Sequence, residues 1–329
     1  MITMTEIARL TGVSQPTVSR VLNGNTAVHP DIRERVLACA RENGFQPNIL
    51  AQSLAGSKTH LIGVILTDIS NPFFADLVKY LEQEARRAGY SLILFNSHYD
   101  SAKEQECLQI IRRYRVDGLI VVPVDEKAAL WQDFSKKSDI PAVIITRRIP
   151  FLDSVYVSHE EAGALVAVHL YEEGYRNYLF FGMPEDEKYQ GFARALSMRD
   201  PAFESRLTIL RSKDSDSLLP RLREHFSDAQ APTGIFAYND RRALQLLGLL
   251  KTLDISVPQQ AGLVGFDNTY MCEYLYPRLS SVSQPNETMA ATAMERLLQR
   301  IENPDDREIR HCPLSAGLVC RESSRRKDI

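Results

Sequence analysis

The chain has 329 residues, 44% of them hydrophobic and 25% charged, with a net charge of −3; that length suits two or three domains and the composition excludes global disorder. The apolar stretch Leu61–Leu66 falls far short of the ~18 residues of a membrane helix, and the opening MITMTEIARL lacks the cationic and apolar regions of a secretory signal, so the expected compartment is the cytoplasm. Cys39, Cys107, Cys272, Cys312 and Cys320 show no CxxC spacing, which argues against a disulfide framework or a zinc knuckle and leaves no metal or cofactor to expect.

Residues 1–60 hold six bases and four acids, a local +2 that leaves −5 for the remainder. The excess is too small to decide nucleic-acid binding by charge alone. This head reads as three short helices. Met4 to Leu10 carries Met4, Ile7 and Ala8 on one face, and Gly12 tolerates the positive φ of a helix end. Ser14 is a good N-cap and Pro16 sits where a missing N–H costs little. Val18, Val21 and Leu22 then form an i, i+3, i+4 stripe that predicts a second helix over Gln15 to Leu22. A third helix starts at Asp31, turns Ile32, Val36, Leu37 and Ala40 inward and ends by Gly44.

From Leu61 onward, seven short apolar runs alternate with amphipathic stretches such as Phe74 to Ala88 and Ala102 to Arg113. The runs are LIGVILTD, SLILFNS, GLIVVP, PAVIIT, YLFFG, GIFAYND and AGLVGFD. Such runs are typical of buried parallel strands. Their number suits two doubly wound sheets side by side, and ligands of such sheets bind beyond the carboxyl ends of the strands. The connector PNILAQSLAG, Pro47 to Gly56, is too apolar for a plain solvated linker.

MTEIARLTGVSQPTVSRVLNGN, followed by RERVLACARENGFQPNILAQSLAG and THLIGVILTDISNPFF, resembles the lactose-repressor (LacI/GalR) family of bacterial transcription regulators. GLVGFDN, the SVSQP segment and the closing strand extend the resemblance over almost the whole chain. It implies an all-α helix-turn-helix DNA-binding head over residues 1–46 and a hinge helix and linker over 47–60. An effector-binding and dimerisation core over 61–329 follows, built as two doubly wound parallel-sheet lobes like those of periplasmic binding proteins. The first lobe would span about 61–158 plus 285–317 and the second about 159–284 plus 318–323.

A recognition helix presents its N-terminal residues to base edges, so Gln15, Pro16 and Arg20 are the candidate readers and match the family's base-reading positions. Arg20 suits guanine, whereas Pro16 offers only apolar contact. Ser14, Thr17, Ser19 and Asn23 match phosphate-gripping positions, which orient without specifying sequence. The alternative is that Ser14 and Thr17 merely cap and Arg20 faces solvent. For the connector, the resemblance implies a hinge helix in which Leu54 wedges into the minor groove. Ala51 and Ala55 would permit close helix pairing, and Asn48 and Gln52 would reach groove edges; the alternative is an ordinary helix packed on the third.

No GxG spacing, GxSxG or HExxH occurs, and the seven histidines are scattered, so no enzyme signature is present. The resemblance places a small effector between the lobes. Phe73 and Phe74 match a wall position, or are plain core. Lys188 stands where the family usually has arginine. Asn239, Asp240 and Asp267 match positions that bond ligand hydroxyls or hold loops. Thr146 and Ser158 replace common acidic residues, His159 replaces an asparagine, and Arg147 and Arg148 follow at once. These departures point to an anionic effector, a sugar acid or sugar phosphate, since guanidinium geometry suits carboxylate and phosphate. The competing reading turns Arg147 and Arg148 to solvent or to Asp153, and leaves a neutral sugar or nucleoside as effector. A non-DNA-binding solute-binding protein would share the core but not the head. The expectation is a homodimeric repressor meeting pseudo-palindromic operator DNA, with no membrane partner and a tail, RESSRRKDI, too short for tetramer-forming heptads.

Overall fold

The computed structural model describes residues 2–22, 27–45, 58–125, 129–211, 217–228 and 231–326. The chain divides into two compact units, Met1–His60 and Leu61–Ile329. In the first unit, α1 (Met4–Thr11) opens on a capping box. The Glu6 amide donates to Thr3 Oγ1 at 3.2 Å and the Thr3 amide donates to the Glu6 carboxylate at 2.8 Å, so two orphan donors are satisfied at once. It closes on Gly12 at φ +64°. Helix α2 (Gln15–Leu22) and α3 (Pro30–Glu42) follow, the latter beginning one residue before Asp31 because Pro30 fits a first helical turn. Ile7, Val18, Val21, Val36 and Ala40 form their shared core.

Among the described residues, the second unit holds two six-stranded sheets. The seven apolar runs are β1 (Leu61–Leu66), β2 (Ser91–Asn96), β3 (Gly118–Val121), β4 (Ala142–Ile145), β6 (Asn177–Phe181), β8 (Thr233–Ala237) and β9 (Ala261–Asp267). Five further strands went unread: β5 (Asp153–Val157), β7 (Leu207–Leu210), β10 (Ser280–Ser283), β11 (His311–Leu314) and β12 (Gly317–Val319). The sheet orders are β11-β5-β4-β3-β1-β2 and β12-β10-β9-β8-β6-β7. Thus β7, β11 and β12 are edge strands, with less apolar area to announce them, and an edge tolerates Pro313. All registers in the first sheet are parallel, and in the second only β12 runs antiparallel, against β10.

The crossover helices are α4 (Pro72–Arg87), α5 (Ser101–Tyr114) and α6 (Ala129–Lys137) for the first sheet and α7 (His159–Glu172), α8 (Glu187–Ser197), α9 (Leu218–Asp228) and α10 (Asp240–Thr252) for the second. Helix α11 (Asn286–Glu302) returns to the first sheet, where Met289, Ala290, Ala293 and Leu297 join Val64, Leu77 and Val143 in one core. The lobes therefore interleave in sequence. None of the described helices is long and apolar enough to cross a membrane.

A buried ion network ties the returning segment down. Asp153, on β5, accepts from Arg296 Nε at 2.9 Å, Arg300 Nε at 2.6 Å and the Arg310 amide at 2.7 Å. These donors hold its carboxyl below the usual range against the upward push of burial. Asp153 is thus paired with Arg296 and Arg300. Removing one member of such a buried pair strands the others, at a cost of ~3–5 kcal/mol. Asp153→Ala is expected to destabilise the core by about that amount, read as an earlier urea midpoint; a shift below about 1 kcal/mol would show the network to be superficial.

Candidate functional site

Parallel strands deliver their carboxyl ends to one edge of each sheet, and the two edges enclose a cavity of about 170 Å³. Thr67 follows β1, Asn71 caps α4, and Phe73 and Phe74 fill its first turn. Val122, Pro123 and Val124 follow β3, and Thr146 and Arg147 follow β4. From the second lobe come His159, opening α7, Lys188 in the first turn of α8, Tyr238 and Asn239 after β8, Asp267 ending β9, and Gln284 after β10.

Helices α7 and α8 touch backbone to backbone. A Cβ added at Gly191 would lie 1.8 Å from the Glu160 carbonyl oxygen, and one at Gly163 would lie 2.1 Å from that of Lys188. This approach fixes His159 and Lys188 together at the mouth of the second lobe. Lys188 Nζ donates to the Tyr238 carbonyl at 3.0 Å and sits 3.7 Å from the Phe266 ring centroid and 4.0 Å from that of Tyr238. Burial lowers its pKa, opposed by nearby Asp267. Burial pushes Asp267 up to about 7, the Lys188 charge pulling the other way, and its carboxylate accepts from Gln284 Nε2 at 3.0 Å. Burial, reinforced by Lys188 and Arg147, holds His159 well below the usual histidine range, so a neutral imidazole faces the cavity. Arg147 stands 3.8 Å from Asp186, the N-cap of α8.

Tyr99, Thr146 and Asp267 line this cavity at φ values of 57°, 69° and 105°. Left-handed backbone is costly for non-glycine residues, most of all a β-branched threonine, and such strain gathers at ligand clamps.

Of the residues expected here, Phe73, Phe74, Thr146, Arg147, Lys188, Asn239 and Asp267 line the cavity. Three others do not. Arg148 is exposed, on the His311 side of the first lobe. Ser158 is spent as the N-cap of α7, accepting from the Glu161 amide at 3.2 Å. Asp240 is buried behind the wall, accepting from the Thr269 amide at 2.7 Å, Ser281 Oγ at 2.5 Å and Cys272 Sγ at 3.2 Å; it holds loops. Asn239 lines the cavity while its Oδ1 caps α10. Unanticipated were Thr67, Asn71, Tyr99, the segment Val122–Val124, Tyr238 and Gln284. The strand-end rule alone reaches Thr67 and Tyr238, whereas Tyr99 carried no signal.

In the head, Ser14, Gln15, Pro16 and Arg20 are exposed, and Thr17 and Ser19 are half-buried. Ser14 Oγ lies 3.4 Å from the Thr17 amide, a weak cap. Asn23, Asn48, Ala51, Gln52, Leu54 and Ala55 lie outside the described residues.

Two family models match: bacterial regulatory proteins, lacI family, over residues 3–48, and the periplasmic binding protein-like domain over residues 167–324. The chain is 32% identical over 315 residues to catabolite control protein A of Priestia megaterium, covering 92% of this chain and 93% of that one. The chain belongs to the lacI family. A second family member, the HTH-type transcriptional repressor PurR of Photobacterium profundum, is 29% identical over 98% of both chains. A periplasmic binding protein/LacI transcriptional regulator from Alkaliphilus metalliredigens, solved with D-xylulofuranose, superposes with a TM-score of 0.70 at 28% identity, covering 80% of this chain and 99% of that one. This lacI-family chain is accordingly a DNA-binding transcriptional repressor with an effector-binding domain.

The α7–α8 approach gives a direct test. Gly191→Ala must force the helices apart and is expected to cost at least ~1–3 kcal/mol by overpacking. Thermal unfolding checks it, and an unchanged midpoint would contradict the backbone contact.

Proposed function

We propose that the chain works as a homodimer in the cytoplasm, where the chromosome is, binding a pseudo-palindromic operator through the exposed face of α2 under control of an anionic sugar held between its lobes. A sugar acid or sugar phosphate is the effector class. The observation that carries this reading is Arg147, a guanidinium in the cavity wall with Lys188 across the cleft. Asp267 is the carboxylate in the same lining, and its burial favours the uncharged form. The volume of about 170 Å³ suits one small ring rather than a disaccharide. A neutral sugar is the second reading, favoured by the D-xylulofuranose bound in the similar regulator. Neutral His159 and the many hydroxyl and amide groups of the wall serve either.

Isothermal titration with D-gluconate against D-glucose, and D-ribose 5-phosphate against D-ribose, separates the two. The anionic member of a pair is expected to bind tighter, and Arg147→Ala to weaken it roughly tenfold. Arg148→Ala is expected to change nothing. Tighter binding of both neutral sugars would refute the anionic cleft.

For the head, Arg20→Ala is expected to lose ~1–3 kcal/mol of preference for an operator selected from random DNA, while low-salt binding to unrelated DNA persists. Equal loss on both DNAs in a fluorescence-anisotropy titration would remove Arg20 from base reading.

A further inference from the structure

The wall segment Val122–Val124 leaves β3 with few ways to be held. The Val122 amide donates back to the Ile65 carbonyl at 2.9 Å, the last sheet bond of the strand. Pro123 has no N–H to offer. The next anchor is the Val124 amide, and it donates not to the sheet but to Glu104 Oε1 at 2.8 Å. Glu104 lies in the first turn of α5 and is fully buried. Its Oε2 has no well-formed hydrogen bond among the described residues, and neither does Trp131 Nε1, also buried. That indole is the side-chain donor facing the carboxyl.

A buried carboxyl with one well-formed hydrogen bond among the described residues is expensive, and it sits where apolar packing by Cys107, Leu108, Trp131 and Phe134 would otherwise continue. What it provides is a hydrogen bond to the cavity wall from behind. We propose that Glu104 is a positioning residue of the effector cleft, holding the Val122–Val124 wall through the Val124 amide, so that the wall's shape depends on one buried carboxyl group. The role rests on reading the cleft as the effector site.

Protonation should reach this group near neutral pH. Burial raises Glu104 to about 7, the Val124 and Trp131 donors oppose the rise, and Asp125 on the facing loop adds to it. On its own helix, the Cys107 thiol is itself pushed up, by burial first and then by Glu104. A raised folded-state pKa means that the native chain holds the proton more tightly than the unfolded one. Stability from this group therefore falls as pH rises from the ordinary carboxylate range to about 7, and is level above it. As the proton leaves, the Val124 bond becomes charge-assisted and stronger.

Trp131 is the one tryptophan of the chain, so its emission reports this pocket directly. In ligand-free full-length protein, emission is expected to titrate with a midpoint near 7, and in Glu104→Gln to be flat between about pH 5.5 and 8.5. Hydrogen exchange at fixed pH gives the second measurement. In Glu104→Leu the peptide carrying Val122 and Val124 is expected to exchange roughly tenfold faster while second-lobe peptides keep their rates. Glu104→Gln, whose amide oxygen still accepts, is expected to restore the protection. Wild-type exchange in the leucine variant, or wild-type titration in the glutamine variant, would overturn the role. Because neither measurement contains a ligand, an absence of heat from D-gluconate and D-ribose 5-phosphate in the wild type would strike the effector reading and not the wall.

Discussion

A parallel strand can be followed by another only through a crossover, so the parallel strands of each core sheet, all but β12, aim one way and present their carboxyl ends along a single edge. Everything polar in the cleft follows from that constraint. Thr67, Val122, Thr146, Tyr238 and Asp267 come from five different strands, yet each stands at or within a residue or two of a strand's end. The helices that begin at the same edge add their first turns: Phe73 and Phe74 from α4, His159 from α7 and Lys188 from α8. Chain order and spatial order differ because the fold sorts residues by strand direction.

Apolar area wrote the fold into the sequence, and where that area was small the record faded. Six of the seven hydrophobic runs are interior strands and the seventh is the edge strand β2, while interior β5, DSVYV, mixes polar residues into its run; the helix-turn-helix head was readable from the stripe Val18, Val21, Leu22 and the glycine at position 12. Edge strands β7, β11 and β12 bury less and left no run. Strand β10 is interior yet reads SSVS, since its buried serines serve polar partners: Ser281 donates to Asp240 and Ser280 accepts from the Arg321 amide. A polar partner 41 residues away has no local signature.

The site was legible by position and not by orientation. Motif spacing located Thr146-Arg147-Arg148, but whether a guanidinium enters the cleft depends on how the backbone turns after β4, where Thr146 takes φ 69°, and of the two only Arg147 lines it. Of the two roles open to Asp240, ligand contact or loop holding, the structure shows the second, and Ser158 is taken up as a cap, because a cap or a loop clasp can consume a polar side chain before any ligand arrives. Likewise, Asp186 and Asp267 come from distant segments to stand beside Arg147 and Lys188, neighbours that no local motif announces. The potential of the cavity is a property of the assembled lobes.

The interleaving of the lobes also orders events during synthesis. Asp153 emerges 143 residues before Arg296, and until α11 and β11 follow, the first sheet lacks both an edge strand and the helix that covers one face. Every strand of the second sheet but β12 leaves the ribosome in that interval. A nascent first lobe therefore carries an exposed apolar face and an uncompensated aspartate while 143 further residues are made. It can close only when the last seventh or so of the chain arrives, so completion of the two lobes is nearly simultaneous, and truncation anywhere before β11 leaves neither lobe whole.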